Sequence, residues 1–329
     1  MSTDADHVPV LVDETLRYLL PERSLLEERP EELEERLFVD CTVGLGGHAA
    51  AVLEAAPRAR LLGIDRDPAA LAGARERLER FGDRVRLAEG RFADVARLVA
   101  ESGWGIGADS EGGRATGILA DLGVSSLQLD TAERGFSFRF EAPLDMRMGR
   151  GGQTAADIVN SYPEADLARI FREYGEERQA RRIARALAEA REDSSVETTG
   201  ELRRIILEAK GGRSRKEGRV DPATRVFQAL RIEVNRELAQ LERFVDEAVR
   251  LLETEGRLVV ISYHSLEDRI VKNALRVSAL GEVDPITGRP RKETQLIELL
   301  TRKPVRPTPD EVRINPRSRS ARLRAARRL

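Results

Sequence analysis

Short apolar runs alternate with helical patterns over the first 125 residues of this 329-residue chain. Runs that predict strands end at Asp40 and lie at residues 61–64, 85–87 and 118–120. Each is separated from the next by enough chain for a helix. Such alternation is typical of a parallel sheet covered by helices, so the pattern predicts an α/β fold of the doubly wound, Rossmann-like kind.

This rhythm breaks from about residue 126 to residue 219. Helical patterns at 164–174, 176–192 and 201–209 follow one another there, and Thr198 with Glu201 forms a capping box before the last of them. A long amphipathic segment at 223–252 then leads to an apolar run at 258–262, which resembles a fifth buried strand. We therefore expect a helical insertion at 126–222 that interrupts one domain formed by 1–125 and 223–329. The ending from residue 294 carries no clear pattern and stays unassigned.

The first strand leads through a glycine turn into an alanine-rich helix. The turn reads Gly44-Leu45-Gly46-Gly47-His48, and glycines there let a ligand approach bare backbone at a helix N-terminus. Asp65 ends the second strand about twenty residues after the first glycine, where a Rossmann-type unit places an acid against ribose hydroxyls. Together these features predict an adenosine pocket.

The residues that the turn lacks narrow the choice of ligand. A dinucleotide fingerprint needs a third glycine where Ala49 stands, and a phosphate-binding P-loop needs a lysine where His48 stands. Asp40, beside the glycines, suits a ligand that carries an ammonium and a sulfonium rather than phosphates. S-adenosylmethionine fits that description.

Asp121 ends the fourth strand, and open α/β sheets hold their reacting groups at the carboxyl ends of such strands. It is the main catalytic candidate, although a role in binding the cofactor or capping a turn stays open. Ser125 and Ser126 lack the elbow of a serine hydrolase and are explained by turn chemistry. After the fifth strand, Ser265 is expected to cap a helix, and His264 is a further candidate for the active site.

Cysteine and histidine content exclude several classes of protein. The single cysteine, Cys41, rules out an intramolecular disulfide framework and favours a cytoplasmic location. No apolar run reaches about 18 residues, so no membrane partner is expected. The three histidines lie far apart in the sequence, and we expect no bound metal.

Although the net charge is only −2, charge is unevenly distributed along the chain, which contains three basic regions. One is the arginine-rich C-terminus, for which a solvated tail is the plain alternative, and the second is the glycine-bearing loop 210–216. The third is a helix face on which Arg178, Arg181, Arg182 and Arg185 recur at helical spacing, with Glu176, Glu177 and Glu189 near enough to neutralise it. These regions indicate a nucleic-acid partner.

Motifs along nearly the whole chain resemble those of the bacterial 16S ribosomal RNA cytosine-N4 methyltransferases. They are the segments 7–11, 46–48, 64–68, 121–126, 133–138, 143–148, 174–178, 222–225, 264–269 and 315–320. One departure is Leu127, which stands where that family usually has proline.

The resemblance implies a class I methyltransferase domain in two parts, with the helical insertion as an RNA-substrate domain. It implies transfer of a methyl group from S-adenosylmethionine to N4 of a decoding-centre cytosine, cytosine 1402, in 16S rRNA of the small subunit or of an assembly intermediate. Matching motifs place the cofactor contacts at Gly46, Gly47, His48, Asp65, Phe92, Asp121 and Gln128.

RNA contacts are expected from the basic regions and from an exposed ring. Phe136, Phe138 or Phe140 could stack on the target base, although alternating phenylalanines are also typical of a buried strand face. The expected phosphate contacts are Arg178, Arg182, Arg213, Arg215, Lys216, Arg225, Arg317 and Arg319.

Two other classes of function stay open at this point. A small-molecule methyltransferase would use the same glycine turn but would need no RNA surface. A non-catalytic ribosome-assembly factor would keep the RNA surface but would bind no cofactor.

Overall fold

The computed structural model describes residues 9–20, 36–104, 115–125, 128, 131–138, 140–212, 221–284 and 287–329. His7, Leu127 and the predicted RNA contacts Arg213, Arg215 and Lys216 lie outside these ranges. The chain divides into two compact units. We call Met1–Gly123 with Leu238–Leu329 the sheet unit, and Val124–Glu237 the helical unit.

The sheet unit contains a seven-stranded sheet in the order β3-β2-β1-β4-β5-β7-β6. Strands β1 to β5 pair in parallel, whereas β7 is antiparallel to both of its neighbours. The strands are β1 Leu37–Asp40, β2 Arg60–Asp65, β3 Val85–Glu89, β4 Ala115–Asp121, β5 Leu252–Ser262, β6 Ile297–Leu299 and β7 Arg322–Arg328.

Helices cover both faces of this sheet. Successive residues of a strand point to opposite faces, so Val39 packs in one core with Phe244, while Phe38 packs in the other with Leu53. The expectation of a doubly wound α/β sheet is therefore confirmed. The helices of the sheet unit are α1 Val12–Leu19, α2 Gly47–Ala55, α3 Pro68–Leu78, α4 Val95–Glu101, α10 Glu237–Leu251 (whose first residue ends the helical unit), α11 Ser265–Leu280 and α12 Pro309–Ile314.

The helical unit has its own apolar core, in which Phe171, Ile183 and Leu202 are fully buried. Thr198 and Glu201 form the capping box that the sequence predicts. The helices of this unit are α5 Ala155–Ser161, α6 Glu164–Glu173, α7 Ala180–Asp193, α8 Thr199–Ala209 and α9 Thr224–Asn235.

Residues with positive φ end or delay two predicted helices. Segment 223–252 is not one helix, because Arg236 has φ 50° and separates α9 from α10. The helix predicted over 176–192 begins only at Ala180, since Glu176 has φ 48°. The sequence boundary at 222 puts α9 with the second part of the sheet domain, whereas the contacts group α9 with the helical unit.

The expectation that Ser265 caps α11 is wrong by one residue. His264 is the N-cap, and its ring accepts a hydrogen bond from the Glu267 amide while the Glu267 carboxylate accepts from the His264 amide. None of the described helices combines the length and apolar composition that crossing a membrane requires.

Candidate active site

Three carboxylates meet at the carboxyl edge of neighbouring strands. Asp65, Asp40 and Asp121 are the last residues of β2, β1 and β4, and these strands lie side by side in the sheet. Strand ends of a parallel sheet share one edge, so the sequence positions that lie far apart become neighbours. This carboxylate edge is the centre of the candidate site.

Asp40 is buried, with 3% of its surface exposed. Its Oδ1 accepts a hydrogen bond from the Thr42 amide at 3.1 Å. Burial raises the pKa of Asp40 from 3.8 to about 7, and the neighbouring charges of Asp121 and Asp65 act in the same direction. The ionised form of Asp40 is therefore disfavoured in the protein alone, and a bound cation would favour it.

Asp65 contacts the glycine turn directly. Its carboxylate accepts hydrogen bonds from the amides of Gly44 and Asp67, each at 2.9 Å. Burial raises the pKa of this carboxyl group as well, against the lowering effect of those two amides. Asp65 thus fixes the turn that opens α2, and it lies at the position where an adenosine ribose is expected.

Protein packing accounts for two of the predicted cofactor glycines. Gly46 has φ 81° and is the N-cap of α2, a backbone conformation that favours glycine. A Cβ atom on Gly47 would lie 2.4 Å from Cγ of Pro9. The lack of side chains at these two positions therefore shapes the turn itself, and leaves its backbone amides as the groups that a ligand could contact.

His48 is buried and stands between a backbone carbonyl and Asp121. Its Nε2 is 2.9 Å from the Val10 carbonyl oxygen, and its Nδ1 is 3.7 Å from Oδ2 of Asp121. A carbonyl only accepts, so Nε2 carries the proton and donates it. Burial lowers the pKa of His48, which favours the neutral ring with an unprotonated Nδ1 facing Asp121.

Asp121 is held by two residues besides His48. Its backbone amide donates to Oγ1 of Thr42 at 2.7 Å, and the hydroxyl of Tyr263 donates to its Oδ1 at 2.8 Å. Burial raises the pKa of Asp121 to about 7, opposed by the Tyr263 hydrogen bond and assisted by the charge of Glu267. A carboxylate of this pKa can take up and release a proton near neutral pH.

Tyr263 was not among the residues singled out from the sequence. It directly follows β5, the neighbour of β4, so the same strand-end rule that selected Asp121 also points to Tyr263. Its ring lies against Gly123, where a Cβ atom would be 3.2 Å from the ring Cδ2.

The two remaining predicted cofactor contacts, Phe92 and Gln128, do not lie at the ends of the strands that carry the three carboxylates. Phe92 follows β3 and packs edge to face on Phe244, with ring centroids 5.4 Å apart, so part of the ring belongs to the core. Gln128 lies in the helical unit, where it is buried. Its side-chain Oε1 accepts a hydrogen bond from the Ser125 backbone amide at 3.1 Å, and the Gln128 backbone amide donates to the Ser125 hydroxyl at 3.2 Å.

Three of the four arginines that were predicted to share a helix face lie on α7 of the helical unit. Arg181, Arg182 and Arg185 are exposed along α7, and Arg178 is exposed in the turn before it. Among the described residues, no carboxylate forms an ion pair with any of these four arginines. Glu177 was expected to neutralise this face, but its carboxylate is buried and pairs with Lys210 at 2.6 Å. We call the four residues the basic face.

Two other predicted RNA groups of the helical unit differ in their exposure and contacts. Arg225 is exposed, and its Nη1 donates to the Glu176 carbonyl at 2.9 Å. Phe136 is buried and Phe138 packs edge to face on Phe227, so both serve the core. Phe140 is 56% exposed and is the ring of this trio that can stack on a base.

The arginine-rich C-terminus is not a solvated tail. Its last arginines lie in β7, between β5 and β6, and there Arg324 is buried while Arg327 pairs with Glu255 and Glu298. Arg317 and Arg319 precede β7 in the turn Pro316–Ser320 and are exposed.

Comparison of the whole chain with models of known protein families shows the family to which it belongs. The model of the MraW methylase family matches residues 4–329. The chain belongs to this family. The resemblance seen in the motifs is therefore confirmed for the family, and the protein is a methyltransferase.

Two curated relatives align with this chain over all or nearly all of their length. A ribosomal RNA small subunit methyltransferase H of Geotalea uraniireducens (strain Rf4) is 48% identical, with 99% of this chain and 100% of the relative covered. One of Thermobifida fusca (strain YX) is 47% identical, with 98% and 93% covered. An rRNA methylase structure from Streptococcus thermophilus is similar at a TM-score of 0.37 and 9% identity, covering 92% of this chain and 96% of that one. Likeness at that level carries no argument about function.

Proposed function

We propose that this protein uses S-adenosylmethionine to methylate the exocyclic N4 amine of a decoding-centre cytosine, cytosine 1402, in 16S rRNA. The observation that carries the proposal is the carboxylate edge, where burial raises the pKa of Asp40, Asp65 and Asp121, and the charges of the other two raise that of Asp40 further. The relatives that match over the full length are named as small-subunit ribosomal RNA methyltransferases, which favours an RNA substrate.

The carboxylate edge fits S-adenosylmethionine by charge. This ligand brings an ammonium and a sulfonium. Three neighbouring carboxylates, whose pKa values are all raised by burial, suit these positive groups better than they suit a phosphate. Asp65 would accept hydrogen bonds from the ribose hydroxyls. The backbone around Gly46 and Gly47, beside Asp40, would hold the methionine end, and Phe92 would be a further contact.

The target amine needs an acceptor for its proton. Bound S-adenosylmethionine supplies a methyl group whose bond to N4 forms as its bond to sulfur breaks, with the electron pair left on sulfur. The amine is weakly nucleophilic because its lone pair is delocalised into the cytosine ring, so positioning contributes much of the rate. Asp121 accepts a hydrogen bond from the amine, takes its proton after transfer and releases it to water, which its pKa of about 7 permits.

RNA recognition falls to groups that the fold leaves exposed. The basic face and Arg225 are suited to phosphates, and Phe140 can stack on an unpaired base. Arg317 and Arg319 add exposed positive charge to the sheet unit. Because these groups are dispersed, a short oligonucleotide would keep few of the contacts, and a folded small subunit or assembly intermediate is the substrate.

The experiment measures transfer of radiolabelled methyl groups to three acceptors across a salt series: small subunits lacking the modification, a short cytosine-containing oligonucleotide, and free cytidine. We expect efficient transfer to the particle alone, with a steep fall as salt rises. Equal transfer to the oligonucleotide or cytidine would favour a small-molecule methyltransferase. Absence of S-adenosylmethionine binding in calorimetry would leave only an assembly factor.

A further inference from the structure

We propose that Tyr263 is a positioning residue for the methyl transfer, and that its hydroxyl fixes which oxygen of Asp121 receives the substrate proton. The proposal rests on the role of Asp121 in the proposed function. It stands on the contact between the Tyr263 hydroxyl and Oδ1 of Asp121, which are 2.8 Å apart.

The hydrogen bond runs in one direction. Burial, with the charges of Asp121, Glu267 and Glu311, holds the pKa of Tyr263 well above its ordinary value, so the phenol stays protonated and donates. Oδ1 of Asp121 is thereby occupied. The other oxygen, Oδ2, faces the unprotonated Nδ1 of His48 at 3.7 Å. Oδ2 is therefore the oxygen that can take a new proton and share it with the imidazole.

Tyr263 is itself rigidly placed, as a positioning residue must be. Its backbone amide donates to Oε2 of Glu267 at 2.8 Å, and Glu267 is 2% exposed at the start of α11. The Leu122 amide donates to the Ile261 carbonyl at 2.9 Å, which joins the ends of β4 and β5 just beside the site. Gly123, with φ 106°, leaves the space that the ring fills.

The hydroxyl has an electrostatic role besides a geometric one. The titratable groups that face Asp121 are Asp40, Glu267, His48 and Tyr263. Of these, Tyr263 stabilises the ionised form of Asp121 through a hydrogen bond. Without the hydroxyl, the carboxylate keeps its proton to higher pH. Fewer molecules then carry an Asp121 that can accept the proton of the amine at neutral pH.

The test is the pH profile of single-turnover methylation in wild type and Tyr263→Phe. We expect the acidic limb to move up by about one pH unit in the variant, with a rate about fivefold lower at pH 7 and recovered near pH 9. At pH 9, where Asp121 is ionised in both proteins, the affinity for S-adenosylmethionine should be the same in the variant and in wild type. Tyr162→Phe is the matched control, because its hydroxyl faces Glu233 in the helical unit and its loss should leave the limb in place.

A second readout does not depend on turnover. Infrared titration of the carboxyl band, taken as the difference from Asp121→Asn in each background, should show Asp121 titrating about one unit higher in Tyr263→Phe. A 3-fluorotyrosine at 263, a stronger donor, should move the limb the other way, and it serves if the phenylalanine variant folds poorly. A rate that falls equally at every pH, with the limb unmoved, would overturn the positioning role.

These outcomes separate this inference from the proposed function. If Asp121→Asn retains full activity, then Asp121 is not the acceptor and the proposed mechanism fails. If Asp121→Asn is impaired while neither Tyr263 substitution moves the limb, then only the role of Tyr263 fails.

Discussion

Arg324 of β7 and Asp268 of α11 form an ion pair in which Nε donates to Oδ1 at 2.7 Å, with the arginine side chain 7% exposed. Arg322 lies 3.9 Å from the same carboxylate. The C-terminal arginines that look like a nucleic-acid tail in the sequence therefore hold the sheet together. Arginines of the C-terminus that are buried and paired, such as Arg324, therefore have a structural role, and the exposed ones are those that can contact RNA.

The first prediction contrasts two C-terminal arginines. Arg324→Met leaves the partly buried Asp268 with the more distant Arg322 as its cation and should lower the free energy of unfolding by about 2 kcal/mol. Arg319→Gln, in the exposed turn before β7, should change it by less than about 0.5 kcal/mol. Denaturant unfolding of both variants measures this. Similar stability of the two would show that β7 does not depend on the ion pair.

Deletion of the C-terminus follows from the same strand. Removing 317–329 takes away β7 and its buried Leu323 and Ala326, so it should unfold the sheet unit rather than only weaken RNA binding. The double variant of Arg317 and Arg319 to Gln is the sharper probe. It should keep the melting temperature and S-adenosylmethionine affinity, and lower the salt dependence of binding to the small subunit.

The basic face gives a prediction for RNA binding by the helical unit. Replacing Arg178, Arg181, Arg182 and Arg185 with Gln should reduce the slope of log affinity against log salt by up to about 3, if each arginine contacts one phosphate. Arg204→Gln is the control, since Arg204 is exposed in the same unit but pairs with Glu208 at 3.2 Å. An unchanged slope in the quadruple variant would place the RNA elsewhere.

The raised pKa of Asp40 predicts how the stability of the folded protein depends on pH. Its folded pKa is about 7 against an ordinary 3.8, so the folded state binds more protons than the unfolded state in that window. Stability from this group is present below pH 3.8 and is lost as pH rises through 7, by up to about 4 kcal/mol. Asp40→Asn does not titrate and keeps an oxygen for the Thr42 amide.

Melting of Asp40→Asn and wild type without cofactor, at pH 5 and pH 8, checks this. The variant should gain stability relative to wild type as pH rises. A constant difference would mean that Asp40 is ionised throughout the range.

The carboxylate edge also predicts how cofactor binding responds to pH. S-adenosylmethionine carries the sulfonium charge, and S-adenosylhomocysteine lacks it. The affinity ratio between them should therefore rise from pH 5 to pH 8 as Asp40 and Asp121 ionise. Below pH 7, binding of the charged ligand should release protons, measurable by calorimetry in buffers of different ionisation enthalpy. A ratio independent of pH would contradict this electrostatic account.

Local sequence rules found the three carboxylates but not their partners. Asp40, Asp65 and Asp121 each end an apolar strand, and a strand followed by a turn is visible within a few residues. The contact of Asp121 with Tyr263 joins positions 142 residues apart, and it depends on the pairing of β4 with β5. No local pattern sets that pairing.

The place of the C-terminus in the sheet was left open for a similar reason. A strand rich in arginine resembles a solvated segment because its charge partners, Glu255, Asp268 and Glu298, come from distant parts of the sequence. The split of segment 223–252 was equally hidden, since the amphipathic pattern continues through Arg236 while the backbone there turns left-handed.

The most direct test of the central claim is mass spectrometry of nucleosides from small-subunit RNA. Unmodified small subunits are incubated with S-adenosylmethionine and either wild type or Asp121→Asn. The account predicts N4-methylcytidine from wild type, mapped to one decoding-centre cytosine, and a much smaller yield from Asp121→Asn under conditions where the cofactor saturates both. A methyl group on another atom or nucleotide, or an equal yield from the variant, would contradict it.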